Sequence, residues 1–431
     1  MQNKNDNSRA DLGWGLINML YSMVEMQRAA LAPMRAMNSF NGFWLKNPLN
    51  PFANIGMVKQ MAAASDFFDA VTKNYGKPEW RIETATTNGI EYRITPSIVW
   101  QKPWCNLVNF ARTPIGKSKS KSALLPKVLI VAPLSGHYAT LLRGTVETFL
   151  QDHDVYITDW EDAQSVPLLE GRFDLDDYIE YVREIISFIG PNCHVLAVCQ
   201  PGPPVLAAIA MMSEDEDPCV PSSMIFVGSP IDARKSPTVT NKLAEERPFT
   251  WFKSNMIYTV PPPSIGAFRR VYPGFVQLAS FMSMNKDRHI DAHKQYFEHL
   301  VEGDGDGAAK HREFYDEYLA VLDLTEEFYL QTIEKIFQEH HLPLGKFRFR
   351  GRLVKPEYIT KTALLTVEGE LDDISGIGQT QAAHDICPNI PADMKSDHVQ
   401  AGVGHYGVFT GRKFANFVYP IERDFIAKHN K

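Results

Sequence analysis

A series of short, almost uninterrupted apolar runs is the feature that most constrains how this chain folds. The runs include KVLIV at 127–131, HVLAV at 194–198 and ALLTV at 363–367, and small or polar residues follow them. Segments with apolar residues at helical spacing separate the runs, as in FDLDDYIEYVREIISFIG at 173–190. Strands this apolar, alternating with helices, indicate a mostly parallel sheet that is buried on both faces. In such sheets the functional residues lie in loops at the carboxyl ends of the strands.

The spacing of these runs also divides the chain into predicted segments. Residues 1–80 are expected to form an N-terminal helical extension, and residues 81–235 the first part of an α/β core. A crossover between two strands needs far fewer residues than the stretch 236–362, so we predict a helical cap there. The core is expected to resume over residues 363–431.

Composition and charge argue against several classes of function. The chain has 431 residues, a formal net charge of −7 and 5 cysteines. This acidic balance offers nucleic acid no basic surface, and the single, separated cysteines show neither a disulfide framework nor a zinc-ligand spacing. The N-terminus lacks a signal-peptide pattern, and no apolar run reaches the roughly 18 residues needed to cross a bilayer. We therefore expect a cytoplasmic protein without a metal or a transmembrane segment.

A segment rich in methionine and aromatic residues, 12–40, carries apolar residues at helical spacing. We expect a helix that packs on the domain or on a partner subunit, and the second arrangement would give a homo-oligomer. Alternatively, the same helix seeks a hydrophobic surface outside the protein. Residues 247–285 are also rich in methionine and aromatic residues. Both segments are therefore candidates for contact with a hydrophobic partner.

Cys199 stands where a predicted strand meets a predicted helix through a tight turn, in the sequence AVCQPG at 197–202. A nucleophile at such an elbow projects above the sheet, and the N-terminus of the following helix favours negative charge beside it. This setting favours the thiolate, which is the reactive form of cysteine. The usual elbow has small residues two positions before and after the nucleophile, so Ala197 fits and Pro201 departs from it. A buried, inert cysteine is the competing interpretation.

A cysteine nucleophile needs a histidine base and an acid that orients it, and in this type of sheet the chain order is nucleophile, acid, histidine. The run TVEGELDD places Asp372 and Asp373 at the end of a predicted strand, and spacing alone does not separate them. His405 follows a later strand in a glycine-flanked loop. Three such residues in this order predict a Cys-His-Asp triad. His137, His384 and His398 compete as base, and Ser229 is the alternative nucleophile.

Attack by the cysteine creates a negatively charged oxygen, which backbone N–H groups stabilise in an oxyanion hole. One donor should be the N–H of Gln200, directly after the nucleophile. The other should come from the loop after the strand at 127–131, where Ser135 is the best candidate. An ordinary turn serine is the alternative interpretation of Ser135.

Several motifs, among them APLSGHYATLLRGTVETFL, VLAVCQPGPPVLAAIAMM and GVGHYGVFTGRKF, resemble the intracellular polyhydroxyalkanoate depolymerases. The resemblance extends through nearly the whole chain and, more distantly, to the polyhydroxyalkanoate synthases. It implies an α/β-hydrolase fold with a helical cap, and it places the nucleophile on Cys199, the acid on Asp372 and the base on His405. Synthases carry glycines on both sides of the cysteine, whereas this chain has Ala197 and Pro201, which favours a depolymerase.

The resemblance also implies a substrate, the storage polyester of 3-hydroxybutyrate, which bacteria hold as hydrophobic granules in the cytoplasm. An acyl-thioester on Cys199 would then be cleared by water or by another thiol, so coenzyme A is a conceivable co-substrate and no other cofactor is expected. Two alternatives stay open: a synthase-like acyltransferase acting on 3-hydroxyacyl-coenzyme A, and a granule-coating protein with an unreactive Cys199. Release of free thiol from 3-hydroxybutyryl-coenzyme A would identify the acyltransferase. Failure of a thiol-directed probe to label Cys199 would identify the coating protein.

Overall fold

The structure is a computed structural model. It describes residues 5–430 except 48, 54, 74, 117–124, 285–290, 292–293, 301–303, 305–310 and 313–314. Near the N-terminus, side chains are described from residue 20 onward.

A nine-stranded sheet forms the centre of the fold. Its strands are β1 (Thr84–Thr87), β2 (Ile90–Lys102), β3 (Cys105–Pro114), β4 (Lys127–Val131), β5 (Asp154–Trp160), β6 (Cys193–Val198), β7 (Ser223–Val227), β8 (Ala363–Gly369) and β9 (Lys395–Gln400). They lie in the order β1-β2-β3-β5-β4-β6-β7-β8-β9. The pairs from β1 to β5 are antiparallel and every pair from β5 to β9 is parallel. This order, with β4 and β5 exchanged and helices between the parallel strands, is the α/β-hydrolase fold, so the predicted fold class is confirmed.

Helices surround the sheet. They are α1 (Asn5–Lys46), α2 (Gly56–Thr72), α3 (Arg143–Phe149), α4 (Leu175–Ile189), α5 (Gly202–Glu214), α6 (Val239–Glu246), α7 (Phe249–Asn255), α8 (Gly274–Met284), α9 (Glu326–Thr332), α10 (Ala383–Ile386), α11 (Gly411–Lys413) and α12 (Tyr419–His429). Single turns of 3₁₀-helix occur at Ala139–Leu142, Leu168–Glu170, Pro356–Tyr358, Ala392–Met394 and His405–Val408, and π-helical turns at Ile333–Gln338 and Phe414–Val418.

The apolar runs of the sequence form the strands at the centre of the sheet. Every residue of β6 and of β7 is buried, as the absence of a polar alternation in these runs predicts. The side chains of successive strand residues enter two separate hydrophobic clusters, one on each face of the sheet. In α4, Asp174 caps the first turn by accepting the N–H of Asp177, and seven apolar or aromatic side chains at helical spacing are buried.

The segment between β7 and β8 carries α6 to α9 and a small antiparallel sheet of Tyr258–Thr259, Arg270–Tyr272 and Leu324–Thr325. It has a hydrophobic cluster of its own, in which Phe252 and Leu330 are buried. These elements form the body of the predicted cap, whereas the division of the chain at residues 80, 235 and 362 stays a prediction.

The N-terminal segment predicted to be helical over 12–40 lies within α1, which has 42 residues. Helices α1 and α2 pack together, and the side-chain amide of Asn38 donates to the carbonyl of Ser65 at 2.8 Å. Tyr21 fixes α1 to the cap through a hydrogen bond to Asp323 and an edge contact with Phe275. Among the described helices, none combines the length and the apolar content needed to cross a membrane.

A buried carboxyl group in α12 makes stability depend on pH. Glu422 is fully buried, and neither of its carboxylate oxygens has a hydrogen-bond partner among the described residues. Burial raises its pKa from 4.5 to about 8 because the charged form is deprived of water. Between these values the folded protein binds more protons than the unfolded chain, so the free energy of unfolding falls as the pH rises through this window.

We therefore expect Glu422→Gln to become more stable than the wild type as the pH rises from 5 to 8. The difference should grow by up to about 1.4 kcal/mol per pH unit, measured by urea unfolding. Asp424→Asn, on the exposed side of the same helix, is the matched control and should keep the wild-type pH dependence. A stability difference for Glu422→Gln that is constant with pH would contradict this assignment.

Candidate active site

Cys199 lies in a left-handed backbone conformation at the carboxyl end of β6, with φ 67°. Such a conformation is strained for a residue with a side chain and persists only where the surroundings impose it. Here the Cys199 N–H donates to the carbonyl of Val227 in β7 at 2.8 Å. After the turn, a Cβ atom on Gly202 would lie 2.4 Å from the Cβ of Ser229, so only glycine fits there. Pro201, with φ −68°, fits the entry to α5.

His405 and Asp372 meet at the same edge of the sheet. The Nδ1–H of His405 donates to Asp372 Oδ2 at 2.8 Å, and both side chains are almost completely buried. The other carboxylate oxygen of Asp372 accepts the backbone N–H groups of Ile374 and Ser375, at 2.9 and 2.8 Å. These three hydrogen bonds fix the carboxylate and leave the second ring nitrogen of His405 for another partner.

That partner is the thiol of Cys199. Burial lowers the pKa of His405, but the negative charge of Cys199 and the hydrogen bonds to Asp372 and Cys199 together raise it to about 10. The imidazolium form of His405 is therefore favoured. The structure thus brings Cys199, His405 and Asp372 together in the arrangement that a nucleophile, its base and an orienting acid require.

The structure separates the two aspartates between which the spacing did not decide. Asp373 is exposed, whereas Asp372 contacts His405. Ser229, the alternative nucleophile, is fully buried below the elbow, and its hydroxyl donates to the carbonyls of Ala197 and Val227 at 3.5 and 3.4 Å. It supports the turn and does not face the site.

The competing histidines make other contacts. His137 lies in the same cavity as Cys199, but its Nε2 is 3.1 Å from the carbonyl of Tyr318, and burial lowers its pKa to about 4. His384 pairs with the hydroxyl of Thr366 at 2.8 Å, and burial lowers its pKa. His398 pairs with a glutamine side chain of β9. None of these rings pairs with Asp372.

The predicted oxyanion donors lie on the two loops that border Cys199. In the described chain, the backbone N–H groups of Gln200 and Ser135 donate to no other backbone group. The side-chain Oε1 of Gln200 accepts the N–H of Leu134 at 3.2 Å, which ties the elbow to the loop after β4. The Nε2 of Gln200 is buried without a partner.

A cavity of about 480 Å³ opens above Cys199 and His405. The core contributes Leu134, Ser135, Gln200 and Phe409 to its lining. The cap contributes a set of aromatic side chains, namely Trp251, Phe252, Tyr272, Phe328, Tyr329 and Phe337. This lining suits an aliphatic acyl chain better than a charged ligand. In the described part of the chain, no group of histidine, cysteine and acidic side chains is arranged to hold a metal ion.

Two contributors to the site carried no recognisable signal in the sequence. Gly228 follows β7 with φ 54°, and a Cβ atom there would lie 3.1 Å from His405 Cε1 and 3.3 Å from Asp372 Oδ2. Gln277 of α8 enters the cavity from the cap, next to Gly136. A glycine at a strand end and a glutamine in a helix are too common in sequences to mark a site.

Comparison with known proteins gives one family match. Residues 228–430 match the family described as "PHB de-polymerase C-terminus". The matched region contains Asp372 and His405, whereas Cys199 lies before it. No curated protein matches the chain.

Several solved structures align with most of this chain at low sequence identity. A soluble variant of monoglyceride lipase from Saccharomyces cerevisiae is 12% identical, with a TM-score of 0.44, over 83% of this chain and 98% of that one. A thermophilic esterase from Thermogutta terrifontis is 13% identical, with a TM-score of 0.39, over 81% and 98%. An epoxide hydrolase from Bacillus megaterium is 12% identical, with a TM-score of 0.41, over 80% and 99%. The fold assignment made above rests on strand order and not on these likenesses.

The two neighbouring aspartates offer a matched test of the site. Asp372→Asn should lower kcat on a small soluble ester by about 10³-fold or more, because an amide no longer holds His405 in the required tautomer. Asp373→Asn should stay within about twofold of the wild type, since its side chain is exposed. Similar losses in both variants, with both proteins folded by circular dichroism, would show that Asp372 has no special position.

Proposed function

We propose that the protein is an ester hydrolase related to the PHB depolymerases, whose C-terminal family model matches residues 228–430, and that it cleaves poly(3-hydroxybutyrate) through Cys199. The observation that carries this proposal is the contact of His405 with both Asp372 and Cys199 at the floor of an apolar cavity. We further propose that it acts on the storage granules of a bacterial cytoplasm.

In the first half of the reaction, the Cys199 thiolate attacks an ester carbonyl of the polymer. The negative charge moves to the carbonyl oxygen, where the N–H groups of Gln200 and Ser135 would stabilise it. When the intermediate collapses, the C–O bond of the ester breaks and the imidazolium of His405 gives its proton to the departing hydroxyl end. The products are a shortened chain with a free hydroxyl group and an acyl-thioester on Cys199.

In the second half, a nucleophile must release the acyl group from Cys199. His405, now neutral, takes the proton of an entering water or thiol, and Asp372 stabilises the imidazolium that forms. Water gives a carboxylic acid, whereas the thiol of coenzyme A gives an acyl-coenzyme A. Either attack regenerates the Cys199 thiolate and the protonated His405. We propose hydrolysis as the reaction and thiolysis as an additional route.

Two cysteine variants test whether Cys199 is the nucleophile. Cys199→Ala should lower the release of 3-hydroxybutyrate from native granules by at least about 10³-fold, because no other group can form the acyl intermediate. Cys219→Ala is the matched control, since this thiol is also partly exposed but follows the end of α5, whereas Cys199 precedes its start. The control should retain the wild-type rate. Substantial turnover by Cys199→Ala would move the nucleophile elsewhere.

Product analysis on the same granules, with and without coenzyme A, distinguishes release of the acyl group by water from its release by the thiol of coenzyme A. Free 3-hydroxybutyrate and its short oligomers are expected without coenzyme A, and a coenzyme A thioester should be found in addition where thiolysis contributes. Incubation with 3-hydroxybutyryl-coenzyme A alone is the control for the acyltransferase alternative. Accumulation of polymer and free coenzyme A in that control would contradict the proposed direction of the reaction.

A further inference from the structure

Helices α1 and α2, with the loop between them, present an unusual number of large apolar side chains to solvent between residues 23 and 61. Among them are Met26, Met37, Phe40, Trp44, Phe52 and Met57, each of which is more than half exposed. Scattered apolar residues are normal on a protein surface, whereas a continuous apolar area of this length marks a contact with something else. We call the exposed apolar side of residues 23–61 the hairpin face.

Between residues 23 and 45 of α1, the charged side chains do not lie on the hairpin face. Between residues 23 and 45 the charged residues are Glu25, Arg28 and Arg35, and all three are partly buried. Arg28 pairs with Glu25 at 2.6 Å, and Arg35 pairs with Asp69 of α2 at 3.5 Å. This part of α1 thus turns its charged groups towards the protein and its apolar groups outward, the reverse of a helix that simply covers a core.

The opposite side of the hairpin is already packed. Ser65 and Asn38 exchange hydrogen bonds between α1 and α2, and a Cβ atom on Gly42 would lie 2.7 Å from the Ser65 hydroxyl. Tyr21 contacts Phe275 and Asp323 in the cap. Because these contacts use the inner side, the hairpin face has no remaining partner within the described chain.

We propose that the hairpin face docks on the surface of the solid polyester whose cleavage is proposed above. A neutral polyester surface offers methyl, methylene and ester groups and no charges, which matches residues 23–45 of α1, where the charged side chains are partly buried. An anionic lipid membrane would be recognised by exposed lysine and arginine. Between residues 23 and 61 the exposed cations are Lys46, which pairs with Asp66, and Lys59, and the chain carries a net charge of −7. The long, flexible methionine side chains adapt to an irregular surface.

This assignment also separates the two candidate segments of the sequence. In 247–285, the aromatic residues Trp251, Phe252 and Tyr272 line the cavity above Cys199. They are available to a single acyl chain that has entered the cavity, and not to an extended surface. Ile265 and Phe268 of the same segment are exposed, but residues 23–61 expose a longer series of large apolar side chains. Contact with the granule is therefore assigned to residues 23–61.

A triple variant tests this assignment. Met37→Gln, Phe40→Gln and Trp44→Gln together remove three exposed apolar groups from one side of α1 without changing its packing. Leu169→Gln, Phe188→Gln and Phe417→Gln form the matched control, since these residues are also 50% exposed or more but lie elsewhere. We expect the hairpin variant to bind amorphous poly(3-hydroxybutyrate) particles at least about tenfold more weakly in sedimentation. Its cleavage of the particles should fall in parallel, while hydrolysis of a small soluble ester and the control variant stay within about twofold of the wild type.

Three results would overturn the assignment. They are unchanged particle binding by the hairpin variant, equal binding of the wild type to phosphatidylglycerol vesicles, or a wild-type dimer in sedimentation velocity that the hairpin variant dissociates. Failure of the proposed function gives a different result, because the wild type would then release no 3-hydroxybutyrate from the particles, or Cys199→Ala would release as much as the wild type. Particle binding by Cys199→Ala should equal that of the wild type in either case.

A second, independent observation concerns the side chain of Gln200. Its Oε1 accepts the N–H of Leu134, the residue directly before the predicted oxyanion donor Ser135. Since Oε1 must face that N–H group, the orientation of the amide is fixed, and its Nε2 is buried without a partner. The geometry points to Gln200 as a positioning residue that holds the Ser135 N–H where the negatively charged oxygen forms.

Gln200→Met and Gln200→Leu keep the volume of the side chain and remove this hydrogen bond. We expect kcat for a soluble ester to fall by about 10- to 100-fold at a nearly constant KM, because the donor is then held less well. Alkylation of Cys199 by iodoacetamide forms no oxyanion, so its rate should stay within about twofold of the wild type. An equal loss in alkylation, or an unchanged kcat in both variants, would overturn this role.

Discussion

The close approach of the Gly228 backbone to His405 and Asp372 is the constraint on which the site depends. Because β6, β7 and β8 are parallel neighbours, their carboxyl ends place Cys199, Gly228 and the loop with Asp372 side by side. A Cβ atom at residue 228 would lie 3.1 Å from His405 Cε1 and 3.3 Å from Asp372 Oδ2, which is closer than side chains normally pack. The backbone is packed as closely at Gly202, where a Cβ atom would lie 2.4 Å from the Cβ of Ser229. Glycine at both positions therefore allows the elbow and the His405 loop to pack closely at this edge of the sheet.

The central sheet and the position of the site could be predicted from the sequence, because both follow from one pattern. Buried parallel strands need almost continuous apolar residues, so their ends are visible in the sequence, and functional residues of such sheets lie at those ends. Cys199 and His405 each follow a strand in this way. The resemblance to a family added the preference for Asp372 over Asp373, which the structure places at the histidine.

The remaining features depend on contacts between distant residues, which no local pattern contains. Whether His137 or His405 pairs with an aspartate is decided by which loop reaches Asp372, and both histidines lie in one cavity. The different roles of the two aromatic-rich segments are likewise not visible in the sequence, since Trp251 and Phe40 are both aromatic residues in amphipathic segments. One enters the catalytic cavity and the other remains in solvent. Composition predicted a hydrophobic contact for both segments, and only packing distinguishes their roles.

The proposed function assigns the holding of the polymer and its cleavage to separate surfaces, and simple energetics explain this separation. Contacts on the hairpin face are the same before and during the chemical step, so they raise the concentration of enzyme at the granule without changing the barrier. Lowering the barrier requires donors aimed at charge that exists only in the transition state, and the predicted donors lie on the loops of Gln200 and Ser135. The two surfaces are nevertheless linked through the cap. Tyr21 holds α1 to Phe275 of α8, and Gln277 of the same helix lies against Gly136, next to Ser135. Helix α8 therefore connects the proposed docking helix with the predicted oxyanion loop, so that one orientation on the proposed polymer surface would serve both.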